Sequence, residues 1–237
     1  MAREVCRAIS DDRLFFRHEV ICAVDAPTEV LYREALVRMK VADAVLLPGR
    51  FIPALERLSL MRQFDCYVVR HTLEAIKATP GARLGCNISA QSTQDDHWWQ
   101  EVFLELENNP EAAARLVVEI TESAPILPID GCTFVRRLRR LGVRVAIDDF
   151  GVGFSAVSAA ACATDIVKVD RSLLRRVRQG TLGIAGFNRL IVMARGIAPL
   201  LVVEGVETPD DIRIVRDAGV RWIQGYYVND PDTPGSI

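Results

Sequence analysis

The chain has 237 residues, half of them hydrophobic and a quarter charged, a composition typical of globular proteins and a length sufficient for one large domain or two small ones. Its 29 basic and 31 acidic side chains leave a formal net charge of -2, so we expect no general attraction to a nucleic-acid polymer or an anionic membrane. No apolar run reaches the roughly 18 residues of a membrane-spanning helix, and no signal-peptide core follows the first residues, so we expect a cytoplasmic protein.

Two strands and two helices are predicted in the first eighty residues, after a polar stretch over 1–13 that fits a short helix or a tail. The predicted strands are 14–24 and 30–37, and the predicted helices are 51–58 and 60–78.

A regular alternation of strands and helices begins at residue 83. The predicted strands are 83–88, 116–120, 143–147, 165–169, 200–203 and 220–224, and the predicted helices are 98–107, 131–141, 182–194 and 210–218. This alternation indicates a parallel sheet with right-handed crossovers. With about thirty residues per strand, it favours an α/β fold of the TIM-type (β/α)8 barrel class, in one domain over 1–237. An open doubly wound sheet is the alternative, but it would concentrate its ligand residues at one switch point.

The cysteines and histidines are scattered and form no spacing typical of a zinc site. The six cysteines are Cys6, Cys22, Cys66, Cys86, Cys132 and Cys162, and the three histidines are His18, His71 and His97. Most cysteines stand in or beside apolar runs without a CxxC pair, which predicts buried free thiols in a reducing compartment.

The apolar run 143–147 ends in two adjacent carboxylates, Asp148 and Asp149, and a Gly151-Val152-Gly153 loop follows. Two acids at the end of a buried strand are costly unless something pairs with them. Taken alone, the stretch also fits an Asp-rich turn.

Polar residues follow nearly every predicted strand. They are Glu34, Asn87, Ser89, Glu119, Glu122, Asp148, Asp149, Lys168, Asp170, Glu204, Glu207 and Gln224. In a barrel these positions converge on one face, although each by itself also fits a strand-end cap or a rim ion pair.

Converging carboxylates would repel one another, and a divalent cation would relieve that repulsion. Oxygen ligands with an asparagine but no His or Cys predict Mg2+, Mn2+ or Ca2+ rather than zinc or copper. Two ions could share the pair Asp148 and Asp149, an arrangement that suits phosphoryl chemistry.

Two cations could act in the same site. Arg38, which shares a strand face with Glu34, could bind a phosphate. Lys168 could orient a water or neutralise charge, and the alternative for it is an ion pair with Asp148 or Asp170.

These residues resemble the EAL domain family of cyclic di-GMP phosphodiesterases. Glu34-Ala35-Leu36 is the tripeptide that names the family. Further motifs follow in the family's order from about residue 14 to Pro231: Asn87-Ile88-Ser89, Glu119-Ile120-Thr121-Glu122, Asp148-Asp149-Phe150-Gly151-Val152-Gly153-Phe154-Ser155, Lys168-Val169-Asp170, Glu204-Gly205-Val206-Glu207-Thr208 and Gln224-Gly225-Tyr226.

The resemblance implies a modified (β/α)8 barrel that hydrolyses cyclic di-GMP to linear pGpG with Mg2+ or Mn2+. Two ions are implied, with Ca2+ inhibitory or substituting, and so is a homodimer. The resemblance implies the following roles: metal ligands Glu34, Asn87, Glu119, Asp148 and Asp149; catalytic residues Lys168 and Glu204; substrate-binding residues Arg38, Leu36, Gln224 and Glu207; and Glu122 as support for the 149–155 loop.

The chain departs from the family pattern in its first strand, where Glu19-Val20, just after His18, stands in place of a Gln-Pro pair that helps to hold a guanine. Val152, Val203 and Met39 are smaller departures. The altered strand motivates a second hypothesis, a catalytically weak or inactive cyclic di-GMP receptor or protein-interaction module. A third is a barrel hydrolase that acts on another phosphodiester.

Overall fold

The computed structural model describes residues 1–93, 98–121, 130–152 and 162–229. Within these ranges nine strands form one sheet: β1 Leu14–Ala23, β2 Ala26–Val41, β3 Ala44–Leu46, β4 Leu84–Ser89, β5 Leu116–Thr121, β6 Arg144–Phe150, β7 Ile166–Val169, β8 Leu200–Val203 and β9 Trp222–Ile223. All eight predicted strands are confirmed, and β3 is an addition that the sequence did not predict.

The sheet closes on itself. Its order is β1-β9-β8-β7-β6-β5-β4-β2-β3, and β1 also pairs with β2, so every strand except β3 belongs to a closed barrel. The predicted barrel is confirmed and the open doubly wound alternative is wrong.

The expectation of a uniformly parallel sheet is wrong at β1, which is antiparallel to both β2 and β9. The physical reason is the connection, because Ala23 pairs with Ala26 and only Val24 and Asp25 lie between them. Two residues make a hairpin, whereas a parallel crossover needs a dozen or more.

Helices surround the barrel in the described ranges. They are α1 Ala2–Ser10, α2 Ile52–Arg57, α3 Met61–Ala78, α4 Gln100–Asn108, α5 Pro110–Ala113, α6 Asp130–Arg140, α7 Arg171–Arg178, α8 Ile184–Arg195 and α9 Pro209–Asp217. The predicted helices are confirmed to within a few residues at each end. The short helices α5 and α7 were not predicted. For α7 the reason is its sequence, which is rich in arginine and has only Leu173 and Leu174 as buried apolar residues.

Side chains fill the barrel interior. The filling residues are Ile21, Ala23, Leu31, Tyr32, Val117, Ala146, Ile166, Val202 and Trp222. A larger apolar cluster lies between the sheet and the helices. Gly85 has no side chain to contribute to the interior, and a Cβ there would lie 2.5 Å from Tyr32 Cε2 and 2.6 Å from Glu119 Oε1.

The prediction that all cysteines are free thiols is wrong for two of them. Cys132 and Cys162 form a disulfide with their Cα atoms 4.6 Å apart, within the usual range for such a bond. The pairing joins residues 30 apart, a separation that gives no local signal in the sequence. Cys22, Cys66 and Cys86 are buried and free, as predicted, and Cys6 is free but exposed.

None of the helices in the described ranges combines the length and the apolar character needed to cross a membrane.

Candidate active site

The candidate functional side chains form one layer above the apolar filling of the barrel. Side chains two residues apart on a strand point to the same face, so each polar residue follows an interior residue of its own strand. The pairs are Tyr32 and Glu34, Gly85 and Asn87, Val117 and Glu119, Ala146 and Asp148, Ile166 and Lys168, Val202 and Glu204, and Trp222 and Gln224. The layer lies at the carboxyl ends of the parallel strands, the face where barrels of this class hold their active sites.

Lys168 stands at the centre of this layer and is 1% exposed. Its Nζ lies 2.6 Å from Glu119 Oε2, 2.8 Å from Glu204 Oε1, 3.1 Å from Glu34 Oε2 and 3.7 Å from Asp148 Oδ1. Burial disfavours the charged ammonium, but these four carboxylates together hold the pKa of Lys168 well above its usual value. The lysine is therefore charged across the physiological pH range.

Two amides hold Glu34. Asn87 Nδ2 donates to Glu34 Oε1 at 2.5 Å, and Gln224 Nε2 donates to Glu34 Oε2 at 2.7 Å. Burial acts to raise the pKa of Glu34, but Lys168 and these amides bring it below its ordinary value. Glu34 is therefore a fixed anion. Gln224 Nε2 also donates to Glu19 Oε2 at 3.0 Å, which brings the altered first strand into the same network.

The other carboxylates of the layer resist ionisation. Burial, and next the charge of Glu34, raise the pKa of Glu119 to about 8. Burial raises the pKa of Asp148 and holds that of Glu204 well above its usual range, although Lys168 opposes both shifts. One lysine does not neutralise so many acids. The mouth of the barrel, the opening at this polar layer, therefore favours the binding of further positive charge.

A break in the β6–β7 ladder turns both members of the acid pair toward the mouth. The register shifts between Ile147 and Phe150, and Asp149 has a left-handed φ of 57°. On a regular strand, adjacent side chains would point to opposite faces. Here Asp148 and Asp149 line the same cavity, and burial together with Asp148 raises the pKa of Asp149 to about 6.

Two cavities open onto the polar layer. One, of about 300 Å³, lies on the β1, β8 and β9 side and is lined by Glu19, Leu36, Glu204, Glu207, Gln224 and Tyr226 among others. The other, of about 560 Å³, lies between β2 and β4, and its lining includes Leu36, Asn87, Asp148 and Asp149. Leu36 and Glu207, predicted from the resemblance, are therefore at the mouth.

Arg38 is not drawn into the carboxylate layer. Its Nη1 donates to the carbonyl of Val37 at 2.9 Å. Neither of the two cavities has Arg38 in its lining among the described residues. Glu122 and the loop residues Gly153, Phe154 and Ser155 lie outside the described residues.

The donor atoms around Lys168 determine whether the predicted metal would fit. Among the described residues, no three His, Cys, Asp or Glu side chains converge on a point where they could jointly hold an ion. The ammonium of Lys168 stands among the carboxylates instead. Two buried oxygens, Asn87 Oδ1 and Glu119 Oε1, nevertheless accept no hydrogen bond within the described part of the chain. Because buried oxygens without donors are rare, both fit as ligands of a hard cation.

Sequence reasoning missed Asp65, which lies on α3 with 1% exposure and lines the larger cavity. It also missed Tyr226, which lines the smaller one. A signal for Asp65 was present, since this carboxylate stands between Phe64 and Cys66 on the buried face of the helix.

The fold and the site define a closed α/β barrel whose active-site face gathers carboxylates and amides around one buried lysine. The EAL domain model matches residues 2–231, and the chain belongs to the EAL domain family.

The comparisons with individual proteins agree. Cyclic di-GMP phosphodiesterase NbdA of Pseudomonas aeruginosa is 33% identical over 239 residues, which cover 98% of this chain and 30% of NbdA. The chain thus spans less than a third of that relative.

Two solved structures share the fold. An EAL domain protein of Listeria monocytogenes has a TM-score of 0.81 at 24% identity, with 96% of this chain and 92% of that one covered. The FimX EAL domain of Xanthomonas citri, solved in complex with c-diGMP, has a TM-score of 0.79 at 18% identity, with 95% and 90% covered.

Proposed function

We propose that this chain is a metal-dependent phosphodiesterase that hydrolyses cyclic di-GMP to linear pGpG. The observation that carries the proposal is the carboxylate layer around Lys168, built from the residues that match the family's motifs. The name of NbdA, a cyclic di-GMP phosphodiesterase, supports the substrate.

Mg2+ or Mn2+ is the proposed cofactor, in two sites, with Ca2+ inhibitory or substituting. Glu34, Asn87, Glu119 and Asp148 would hold one ion, and Asp148 and Asp149 would engage the second. Bound ions of this kind supply a hydroxide at neutral pH and stabilise negative charge on the attacking and leaving oxygens.

Lys168 and Glu204 are the proposed catalytic residues. Glu204 accepts a proton from the attacking water, a role that requires its ionised form. Burial raises the pKa of Glu204, but Lys168, whose Nζ lies 2.8 Å from Glu204 Oε1, favours that ionised form. Lys168 orients that water and neutralises charge that develops on the phosphate. Its central position, within 3.1 Å of three carboxylates, preorganises the ammonium for this task.

Leu36, Gln224, Glu207 and Arg38 are proposed to contact the substrate. The first three line the mouth, and Arg38 would have to exchange its bond to the Val37 carbonyl for a phosphate oxygen. Glu122 is proposed to brace the 149–155 loop, and the active form is proposed to be a homodimer, which sedimentation at micromolar concentration would detect.

The test is an assay of purified protein with cyclic di-GMP and either Mg2+ or Mn2+, with nucleotides separated by chromatography. We expect pGpG to accumulate, and Lys168→Met to prevent it. The absence of linear product with both metals over a wide range of enzyme concentration would refute the proposal.

A non-catalytic cyclic di-GMP receptor is the second candidate, and Glu19 favours it. This carboxylate lines the smaller cavity where the family has an amide, and it competes with Glu34 for the Nε2 of Gln224. Binding of cyclic di-GMP without turnover in the same assay, measured by calorimetry, would select the receptor.

A further inference from the structure

A gap opens between β2 and β4 next to the active site. The parallel pairing of these strands ends at Ala35 and Cys86, whereas β4 continues to Ser89 and stays paired with β5 there. The cavity of about 560 Å³ lies in this gap. Within the described part of the chain, the end of β4, which carries Asn87, therefore has no strand partner on its β2 edge.

The N–H of Ser89 faces this gap. Successive N–H groups along a strand alternate between its two neighbours. The N–H of Leu84 donates to the Arg115 carbonyl at 3.1 Å, on the β5 side. Ser89 is five residues further on, so its N–H is directed to the β2 side, where β2 has departed.

Asp65 provides the acceptor that β2 does not. Its Oδ2 accepts the Ser89 N–H at 2.9 Å from the buried face of α3. Burial outweighs this hydrogen bond and raises the pKa of Asp65 to about 7. A buried carboxylate without a donor and a buried N–H without an acceptor are each costly in free energy. The hydrogen bond between Asp65 and Ser89 reduces both costs.

We propose that Asp65 is a positioning residue that fixes the carboxyl end of β4 and thereby holds Asn87 against Glu34. Asn87 is two residues from Ser89 on the same strand, and its Nδ2 lies 2.5 Å from Glu34 Oε1. The role depends on the acceptor oxygen rather than on the charge, so an asparagine at position 65 should perform it. The consequence for metal binding rests on the proposed function, whereas the consequence for β4 does not.

The test compares Asp65→Ala with Asp65→Asn and with a matched control, Thr72→Val. Thr72 is another buried polar residue on the same helix. Its hydroxyl donates to the Val68 carbonyl of α3 and also contacts the Cys86 thiol, at a point of β4 that is still paired with β2. Thr72→Val therefore removes a polar contact between α3 and β4 that lies outside the gap. Two quantities are measured. The first is the hydrogen exchange, in metal-free protein, of a peptide that spans 86–92. The second is the Mn2+ affinity, obtained by titration of metal-free protein while the electron paramagnetic resonance signal of free Mn2+ is followed. If the alanine variant does not fold, Asp65→Ser replaces it, because the serine side chain is one carbon shorter than that of aspartate.

In Asp65→Ala we expect about tenfold faster exchange in this peptide and about tenfold weaker Mn2+ binding, equivalent to about 1.4 kcal/mol. Asp65→Asn and Thr72→Val should stay within about twofold of the wild type, a spread of about 0.4 kcal/mol.

Unchanged exchange in Asp65→Ala, equal acceleration in Thr72→Val, or failure of Asp65→Asn to restore protection would overturn the positioning role. Unchanged Mn2+ affinity would overturn its link to the metal site. A wild type that does not cleave cyclic di-GMP would defeat the proposed function, while the exchange comparison would still decide the role of Asp65.

Discussion

Lys168 shows how one residue organises the site. A buried lysine without partners would be neutral, but the carboxylates around it keep it charged. In return the ammonium opposes the rise that burial causes in the pKa values of Glu119 and Glu204. Removal of one member therefore leaves an excess of buried charge on the others.

The acid pair provides the first prediction. Asp148→Asn removes a charge that is proposed to be shared by both ions, so metal affinity should fall by more than about tenfold and turnover should be lost. Calorimetric Mn2+ binding and the cyclic di-GMP assay measure the two effects. Asp210→Asn, which alters an exposed acid on α9, is the control. A variant with wild-type rate at limiting metal would rule out this role for Asp148.

The raised pKa values of Glu119, to about 8, and of Asp149, to about 6, predict how stability depends on pH. Folding favours the protonated form of both groups. Their contribution is therefore complete below their ordinary values and is lost as pH rises through 6 and then 8. His18 opposes this trend, since burial lowers its pKa. Metal-free protein should melt at a lower temperature at pH 8.5 than at pH 5.5.

Metal should reverse this loss. Cations displace protons from carboxylate ligands, so Mn2+ should raise the melting temperature more at pH 8.5 than at pH 5.5. The comparison variant is Glu119→Gln, in which only the part of the pH dependence that Glu119 contributes should disappear. Equal Mn2+ effects at the two pH values would contradict the assignment of these carboxylates as ligands.

At the scale of elements, strands determine which side chains meet. The alternation of side chains places an apolar residue and then a polar one inside the barrel on strand after strand. The ladder break at Asp149 and the short hairpin between β1 and β2 are the exceptions that shape the mouth. Both are local departures from a regular strand.

Gly85 on β4 tests the packing of the interior. In Gly85→Ala the new Cβ would meet Tyr32 and Glu119, which are fully buried and have little room to move. Overpacking of this kind costs about 1–3 kcal/mol, measured as a lower free energy of unfolding in urea. Gly49→Ala, where no atom of the described residues lies within 4 Å of the new Cβ, should be nearly neutral. Equal stability of the two variants would show that the interior can relax around the added methyl group.

At the scale of the whole molecule, contacts between distant segments close the barrel. Glu34 on β2 bonds to Lys168, 134 residues away, and to Gln224, 190 residues away. The disulfide between Cys132 and Cys162 adds a covalent link between segments that lie before and after β6 in the chain, and β6 carries the acid pair.

Reduction of this disulfide should lower stability. Closing a loop of 30 residues in the unfolded chain is worth about 3–4 kcal/mol by the loop-entropy relation. Dithiothreitol should therefore lower the urea midpoint of the wild type. The double variant Cys132→Ser/Cys162→Ser should already have the lower midpoint and show no further response. A wild-type midpoint that dithiothreitol does not change would argue against a stabilising bridge.

Local patterns in the sequence determined most of the elements. Thr208 and Pro209 predict the start of α9, which the structure confirms with a capping box between Thr208 and Asp211. The alternating strands and helices predicted the barrel, and the polar strand ends predicted which side chains converge. These features depend on residues close together in the chain, so periodicity and capping reveal them.

Only the tertiary structure decided the rest. The central position of Lys168, the acceptor role of Asp65, the Cys132–Cys162 pairing and the placement of Arg38 outside the carboxylate layer depend on residues that are far apart in sequence. The sequence identifies the groups that need partners, because a buried charge or N–H must be compensated. It does not identify the partner, because many distant residues could supply the same chemistry and only closure of the barrel selects one.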